Sequence, residues 1–137
     1  FAPELWSVLD DWTLHGSPGT WARRTAELAE KWGADVVVAE RNFGGDMVRA
    51  IMRQVRPDVP FDDVRASRGK SIRAEPVSTM YEQHRVHHIG PADRFAELEE
   101  EMTTWTDDVK WSPNRMDALV WALTELAESG EPKLWFV

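Results

Sequence analysis

Apolar and polar positions change their period several times along the chain, and each change predicts an element. Leu5 to Trp12 (LWSVLDDW) is rich in apolar and β-favouring residues and is followed by His15, Gly16, Ser17, Pro18 and Gly19, which predicts a strand ending in a turn. Ser17 before Pro18 predicts the cap and first position of a helix, with an apolar stripe of Trp21, Leu28, Ala29 and Trp32 running to Gly33. Ala34 to Ala39, apolar except for Asp35 and holding three consecutive valines, predicts a strand buried on both faces and therefore in mid-sheet.

After Glu40, the sequence RNFGGD leads into a second helix in which Met47, Ile51, Met52 and Val55 recur at helical spacing until Pro57. Phe61 to Ala66 predicts a strand, Ser71 to Arg85 a helix containing Pro76, Val86 to Ile89 a short strand, and Pro91 to Trp105 an acidic amphipathic helix. For the last helix, Ser112 is the candidate cap and Pro113 the first position. Met116, Leu119, Val120, Leu123 and Ala127 line one face, and Gly130 is the stop. Strands alternating with helices through tight connections predict an α/β layer structure whose central strands are covered on both sides.

Composition narrows this picture. With 137 residues, 42% of them hydrophobic, the chain can bury one sizeable core, so one domain is expected. No cysteine is present, which excludes a disulfide framework and cysteine-held zinc and fits a reducing cytosolic compartment. No apolar run approaches membrane-spanning length, and Phe1 to Trp6 lacks the basic start of a signal peptide, so a soluble protein without a membrane partner is expected.

The net charge of −8 argues against a nucleic-acid partner only while it is treated as evenly spread. Between Arg65 and His88 five cations (Arg65, Arg68, Lys70, Arg73, Arg85) face two acids, Glu75 and Glu82, so that segment is locally basic. Glu97, Glu99, Glu100 and Glu101 supply part of the excess acid and read as a solvated helix face. The eight tryptophans read mostly as packing residues.

Two carboxylates stand out. Glu40 ends the valine strand, at the end of an α/β strand where ligands bind, although a surface glutamate would occupy the same place. Asn42, Gly44 and Gly45 then make a small, flexible approach to a helix N-terminus, where backbone N–H groups can face a phosphate. Asp117 is placed by the pattern in the second turn of its helix, with Pro113, Asn114, Val120, Trp121 and Thr124 as same-face neighbours and no local cation. It is therefore either an exposed helical aspartate or a carboxylate needing a distant cation or a metal.

Hard divalent ions take such oxygens, and a pair about 3.5–4 Å apart serves phosphodiester cleavage. Asp10 and Asp11 are the further candidates nearby, or else turn-initiating residues with local hydrogen bonds. Lys70 and Arg73, in RGKSIRAEP, open a helix and can meet phosphates, although solvated cations are common there. His84, His87 and His88 lack the helical spacing of a zinc site with its glutamate.

Taken in order, VLDDWTLHGSPGTWA (Val8 to Ala22), VVVAERNFGGDMV (Val36 to Val48), SRGKSIRAEPV (Ser67 to Val77) and SPNRMDALVWAL (Ser112 to Leu123) resemble the C-terminal nuclease domain of phage terminase large subunits. The resemblance implies a ribonuclease H-like mixed sheet flanked by helices and a metal-dependent endonuclease that cuts concatemeric DNA during packaging. It implies that Glu40 and Asp117 are catalytic residues and ligands of Mg2+ or Mn2+, with Asp11 a further metal ligand. It places Lys70, Arg73, Arg68, Asn42, Gly44 and Gly45 on the DNA-facing side. Double-stranded DNA, the portal and the small terminase subunit are the implied partners, and the host cytoplasm the implied location.

The family's first strand, with its own aspartate, has no counterpart here, and no G-x-x-x-x-G-K-[ST] sequence marks a packaging ATPase. A fragment of a longer chain with an N-terminal ATPase is therefore expected, with a shortened relative that no longer cuts as the other reading. A strand missing beside the valine strand would leave hydrogen-bonding groups unpaired and favour self-association. A non-catalytic DNA- or portal-binding module on the same fold is the rival function, followed by a junction resolvase.

Overall fold

Local signals account for where most elements start and stop. The computed structural model describes residues 4–41, 47–129 and 135–136. Their contacts separate two units. One holds the stretch up to Thr13 together with Arg68–Thr124, and the other holds Leu14–Ser67 and the stretch from Glu125 onward.

The second of these units is built around the valine strand. Strand β1 (Trp6–Val8) belongs to the other unit; helix α1 (Pro18–Trp32) opens this one and leads to β2 (Val36–Glu40). The cap is the expected one: the Ser17 hydroxyl accepts from the Thr20 N–H at 3.3 Å, and Pro18 follows where its missing N–H costs nothing. At the other end Gly33 adopts φ 63°, a left-handed conformation that suits glycine, and its N–H closes the helix. The buried face differs from the expected tryptophan stripe. Ala22, Ala26, Leu28 and Ala29 are buried while Trp21 and Trp32 stay half-buried, because small side chains let a helix approach its neighbours more closely than indoles do.

β2 lies between β3 (Phe61–Val64) and β5 (Trp135–Phe136), parallel to both, in the register Val37 opposite Phe61, Glu40 opposite Val64 and Val36 opposite Trp135. The mid-sheet position expected for the valines is thus observed, with Val37 and Val38 buried. The expectation that this strand lacks a neighbour on one side is corrected: β5 pairs with Val36 and Val37 there. Helix α2 (Met47–Val55) buries Met52 and packs on α1, and Arg56 ties its end to Asp58 at 2.9 Å and to Glu30 at 3.5 Å.

In the other unit β1 runs parallel to β4 (Val86–His88), Trp6 opposite Val86. The expected eight-residue first strand shrinks to three because Leu9 leaves the ladder to accept from the Arg94 guanidinium at 2.9 Å. Helix α3 (Lys70–Glu82), with Pro76 inside it, precedes β4; a 3-10 turn (Ala92–Phe95) then leads into α4 (Ala96–Thr104). Helix α5 (Asn114–Ser129) follows. Its Leu119, Val120 and Leu123 meet Val77 of α3, Val86 of β4, and Phe95 and Leu98 of the turn and α4 in one apolar core. The spacing of three and four residues on α5 gathers these side chains on one face. No helix among the described residues is long and apolar enough to cross a membrane.

Candidate functional site

α5 starts at Asn114, one residue later than the pattern predicts, so Asp117 stands in the first turn rather than the second, with its N–H on the Pro113 carbonyl at 2.8 Å. There the helix dipole favours a negative charge. Asp117 is 8% exposed, which overturns the reading of it as a solvated helical residue. A buried carboxylate needs a counter-charge, and α3 supplies two: Lys70 Nζ lies 3.1 Å from Oδ2 and an Arg73 guanidinium nitrogen 3.0 Å from Oδ1. The distant cation required by the sequence is therefore present in duplicate.

The two cations are held differently. Arg73 is 12% exposed; its Nε donates to the Arg68 carbonyl at 3.2 Å, and its guanidinium lies 4.6 Å from the ring centre of Trp121. Trp121 follows Asp117 by four residues on α5, so one helix face presents both the carboxylate and the aromatic platform. The guanidinium nitrogen nearest Asp117 is buried without a well-aligned hydrogen bond, so this contact is more coulombic than directional. Lys70, by contrast, is 35% exposed, and its ammonium also donates to the Ser112 hydroxyl at 3.0 Å. Ser112, expected as a helix cap, spends that hydroxyl on Lys70 and on the Asn114 side chain at 2.8 Å.

A second polar cluster in the same unit takes Asp11. Its carboxylate accepts from Arg115 at 3.0 Å, and Arg115 also pairs with Glu97. Burial raises the Asp11 pKa more than Arg115 lowers it, and Glu97 and Asp10 add repulsion. Asp10 accepts from the Asp11 N–H at 3.0 Å, the local turn bond that was the plainer reading of this pair. Asp11, Trp12, Asp93, Arg94, Glu97 and Arg115 line an open cavity of about 230 Å³. The acidic face of α4 is solvated as expected at Glu97, Glu99 and Glu100, yet Glu97 meets Arg115 and Glu99 accepts from His88 at 2.9 Å, while the half-buried Glu101 accepts from the Met116 N–H at 2.9 Å, serving the start of α5. His88 also meets the Tyr81 hydroxyl at 2.8 Å through its other ring nitrogen, so two protein side chains engage it.

In the other unit, Glu40 is half-buried at the carboxyl end of β2, and the next residue continues the ladder through Arg41 N–H to the Val64 carbonyl at 2.6 Å. Beside that strand end, Asp63 of β3 contacts Arg41 at 3.3 Å and Arg49 at 3.2 Å. The Arg49 hydrogen bond leads in holding the Asp63 carboxyl below its ordinary range. Asn42, Gly44 and Gly45 lie outside the described residues. Arg68 lends its carbonyl to Arg73 while the residue itself is exposed.

The residues brought together are thus Asp117, Lys70, Arg73 and the Arg68 carbonyl; Asp11 is engaged with Arg115 and Glu97. Sequence reading missed Trp121, Ser112 and Arg115 as polar partners, although the four-residue step from Asp117 to Trp121 was visible in it. Among the described residues no group of three or more acidic or histidine side chains forms a ready metal cage. Asp117 offers oxygens of the type a hard divalent ion takes, but both of them already face a cation, Lys70 or Arg73.

Of two α/β units with parallel strands, one thus buries a carboxylate against two cations. A model of the terminase RNaseH-like domain family matches residues 6–126, a span that includes Asp11, Glu40, Lys70, Arg73 and Asp117. The chain belongs to this family, and its α/β architecture is ribonuclease H-like. Neither a curated protein nor a solved structure matches the chain.

Proposed function

We propose that this domain is the nuclease of a viral DNA-packaging terminase, hydrolysing phosphodiester bonds of concatemeric double-stranded DNA with little sequence preference in the host cytoplasm. The observation that carries the reading is the contact of Asp117 with Lys70 and Arg73 at 3.1 and 3.0 Å. A carboxylate suited to a metal and cations suited to phosphate share one site. Asp117 would be one ligand of magnesium or manganese, and Glu40 and Asp11 are the further ligands that the resemblance implies. Bound there, the ion supplies Lewis acidity to the scissile phosphate and its nucleophilic water. Arg73 keeps the Asp117 carboxylate oriented, and Lys70 and Arg68 attract the DNA backbone, joined by Asn42, Gly44 and Gly45. The portal and the small terminase subunit are the protein partners this role entails.

Plasmid nicking by the complete protein with Mn2+ tests the assignment. Glu40→Ala and Asp117→Asn should each abolish nicking; a variant that still nicks removes its residue from the mechanism. A second reading, a DNA- or portal-binding module that does not cut, is favoured by one fact: both oxygens of Asp117 already face cations, so the carboxylate is balanced without a metal. Calorimetry that finds no Mn2+ bound at millimolar concentration would select it.

A further inference from the structure

We infer that Tyr81, His88 and Glu99 form a proton-operated latch: at neutral pH the Tyr81 hydroxyl donates to a single tautomer of His88, and acid reverses that hydrogen bond. The three side chains come from α3, β4 and α4, elements whose apolar residues Val77, Val86 and Leu98 share one core. His88 is 13% exposed, and both of its ring nitrogens are engaged: Nδ1 with a Glu99 oxygen at 2.9 Å and Nε2 with the Tyr81 hydroxyl at 2.8 Å. An ionised carboxylate only accepts, so Nδ1 carries the hydrogen. A neutral imidazole has one N–H, which leaves Nε2 an acceptor and makes the Tyr81 hydroxyl its donor. Tyr81 keeps the proton this needs, because burial, with Glu99 adding repulsion, raises its pKa above the ordinary value. Glu99 thus selects the tautomer and, through it, the direction of a hydrogen bond it does not touch.

The other neighbours of His88 are not charged. Its ring centre lies 4.9 Å from that of Phe95, and Val8 stands opposite it in the ladder between β1 and β4. Glu99 of α4 and Tyr81 of α3 are therefore the titratable groups that face it among the described residues. Histidine is the side chain whose charge changes between about pH 5 and 8. A second proton on His88 has only Nε2 to occupy, and the ring then donates at both nitrogens. Its bond to Glu99 becomes a full ion pair, while the Tyr81 oxygen turns acceptor and its hydrogen must leave the ring for water. Tyr81 stands in the last turn of the helix that carries Lys70 and Arg73 in its first, so the change is delivered to that helix.

Nitrogen NMR of the imidazoles in the 137-residue chain reads the tautomer directly. At about pH 8 His88 should be protonated on Nδ1 alone, with the Tyr81 hydroxyl hydrogen seen bridging to Nε2. At about pH 5 both nitrogens should carry hydrogen and the bridging signal should be lost. Glu99→Ala should move the neutral ring's hydrogen to Nε2, whereas Tyr81→Phe should leave it on Nδ1. The measurements on the native chain need no variant and so are independent of any effect of substitution on folding. An Nε2–H tautomer in the native chain at neutral pH, or a bridging signal that survives the second protonation, would overturn the latch. So would a His88 that stays singly protonated in the folded chain down to about pH 5, or an Nδ1 hydrogen retained in folded Glu99→Ala.

Discussion

The two units each set an acid against two cations, and they do so at different depths. In one, the Asp117 side chain is 10% exposed and its arginine, Arg73, 12%; in the other, Asp63 is 18% exposed and its arginines Arg41 and Arg49 are 40% and 26% exposed. Depth changes what the pairing does. A rim network such as that of Asp63 is screened by water and salt and contributes little to stability. A carboxylate inside the structure becomes a liability once its partners are removed, because its charge has nowhere to go. The inner cluster is accordingly the one that the fold must protect.

The contrast is broken most severely by removing the platform beneath Arg73. Trp121→Ala should cost about 3–5 kcal/mol in urea unfolding, as for other buried aromatics, and should loosen Arg73 from Asp117. A loss below about 1 kcal/mol would show that Trp121 does not support the cluster.

Asp117→Asn comes next. Leaving Arg73 buried without its anion should cost about 2 kcal/mol, less than the usual loss for a broken buried pair because Lys70 reaches water. Asp63→Asn should cost clearly less. If the two substitutions prove equal, burial depth does not separate the units.

A pH series then compares two arginine-paired acids whose pKa values move oppositely. Asp63 is held low by Arg49, so its stabilising contribution is full above the unfolded value of about 3.9 and is lost as pH falls through the lower folded value. Asp11 is raised chiefly by burial, so the charged form is unfavourable at neutral pH, and that penalty disappears as pH falls through the raised value. In thermal melts at pH 7, Asp63→Asn should therefore be less stable than the native chain and Asp11→Asn more stable. Both differences should shrink toward pH 3. Equal signs at pH 7 would contradict these environments.

The smallest effect lies at a purely local feature. Ser17→Ala should cost about 1 kcal/mol through loss of the α1 cap, with no change in Mn2+ binding. A change in Mn2+ affinity in that variant would link the α1 start to the site.

Helix ends and the buried strand could be read directly from the residues. Ser17, Pro18 and Gly33 act within one turn of the chain, and three valines in a row suit few places other than a central strand. The first strand was overestimated because Leu9, apolar by composition, gives its carbonyl to Arg94, a residue far along the chain. β5 could not be anticipated from so short a segment: two residues carry no periodicity, and their pairing with β2 is set by the sheet they join. The solvated face read for the acidic helix holds at Glu97, Glu99 and Glu100, but the partners of its acids, Arg115, His88 and the start of α5, come from other elements and left no mark in the local pattern.

Amino-acid order alone determined both ends of α1, the mid-sheet place of the valines and the order in which strands and helices follow one another, since these depend on neighbours a few residues apart. The pairing of charges was decided by tertiary structure. Asp117 lacks a cation on its own helix face, and Lys70 and Arg73 carry no mark that separates them from solvated basic residues. Their contact arises because α3 and α5 bury apolar faces in a common core, which brings the starts of both helices together and leaves the carboxylate no nearer charge to meet.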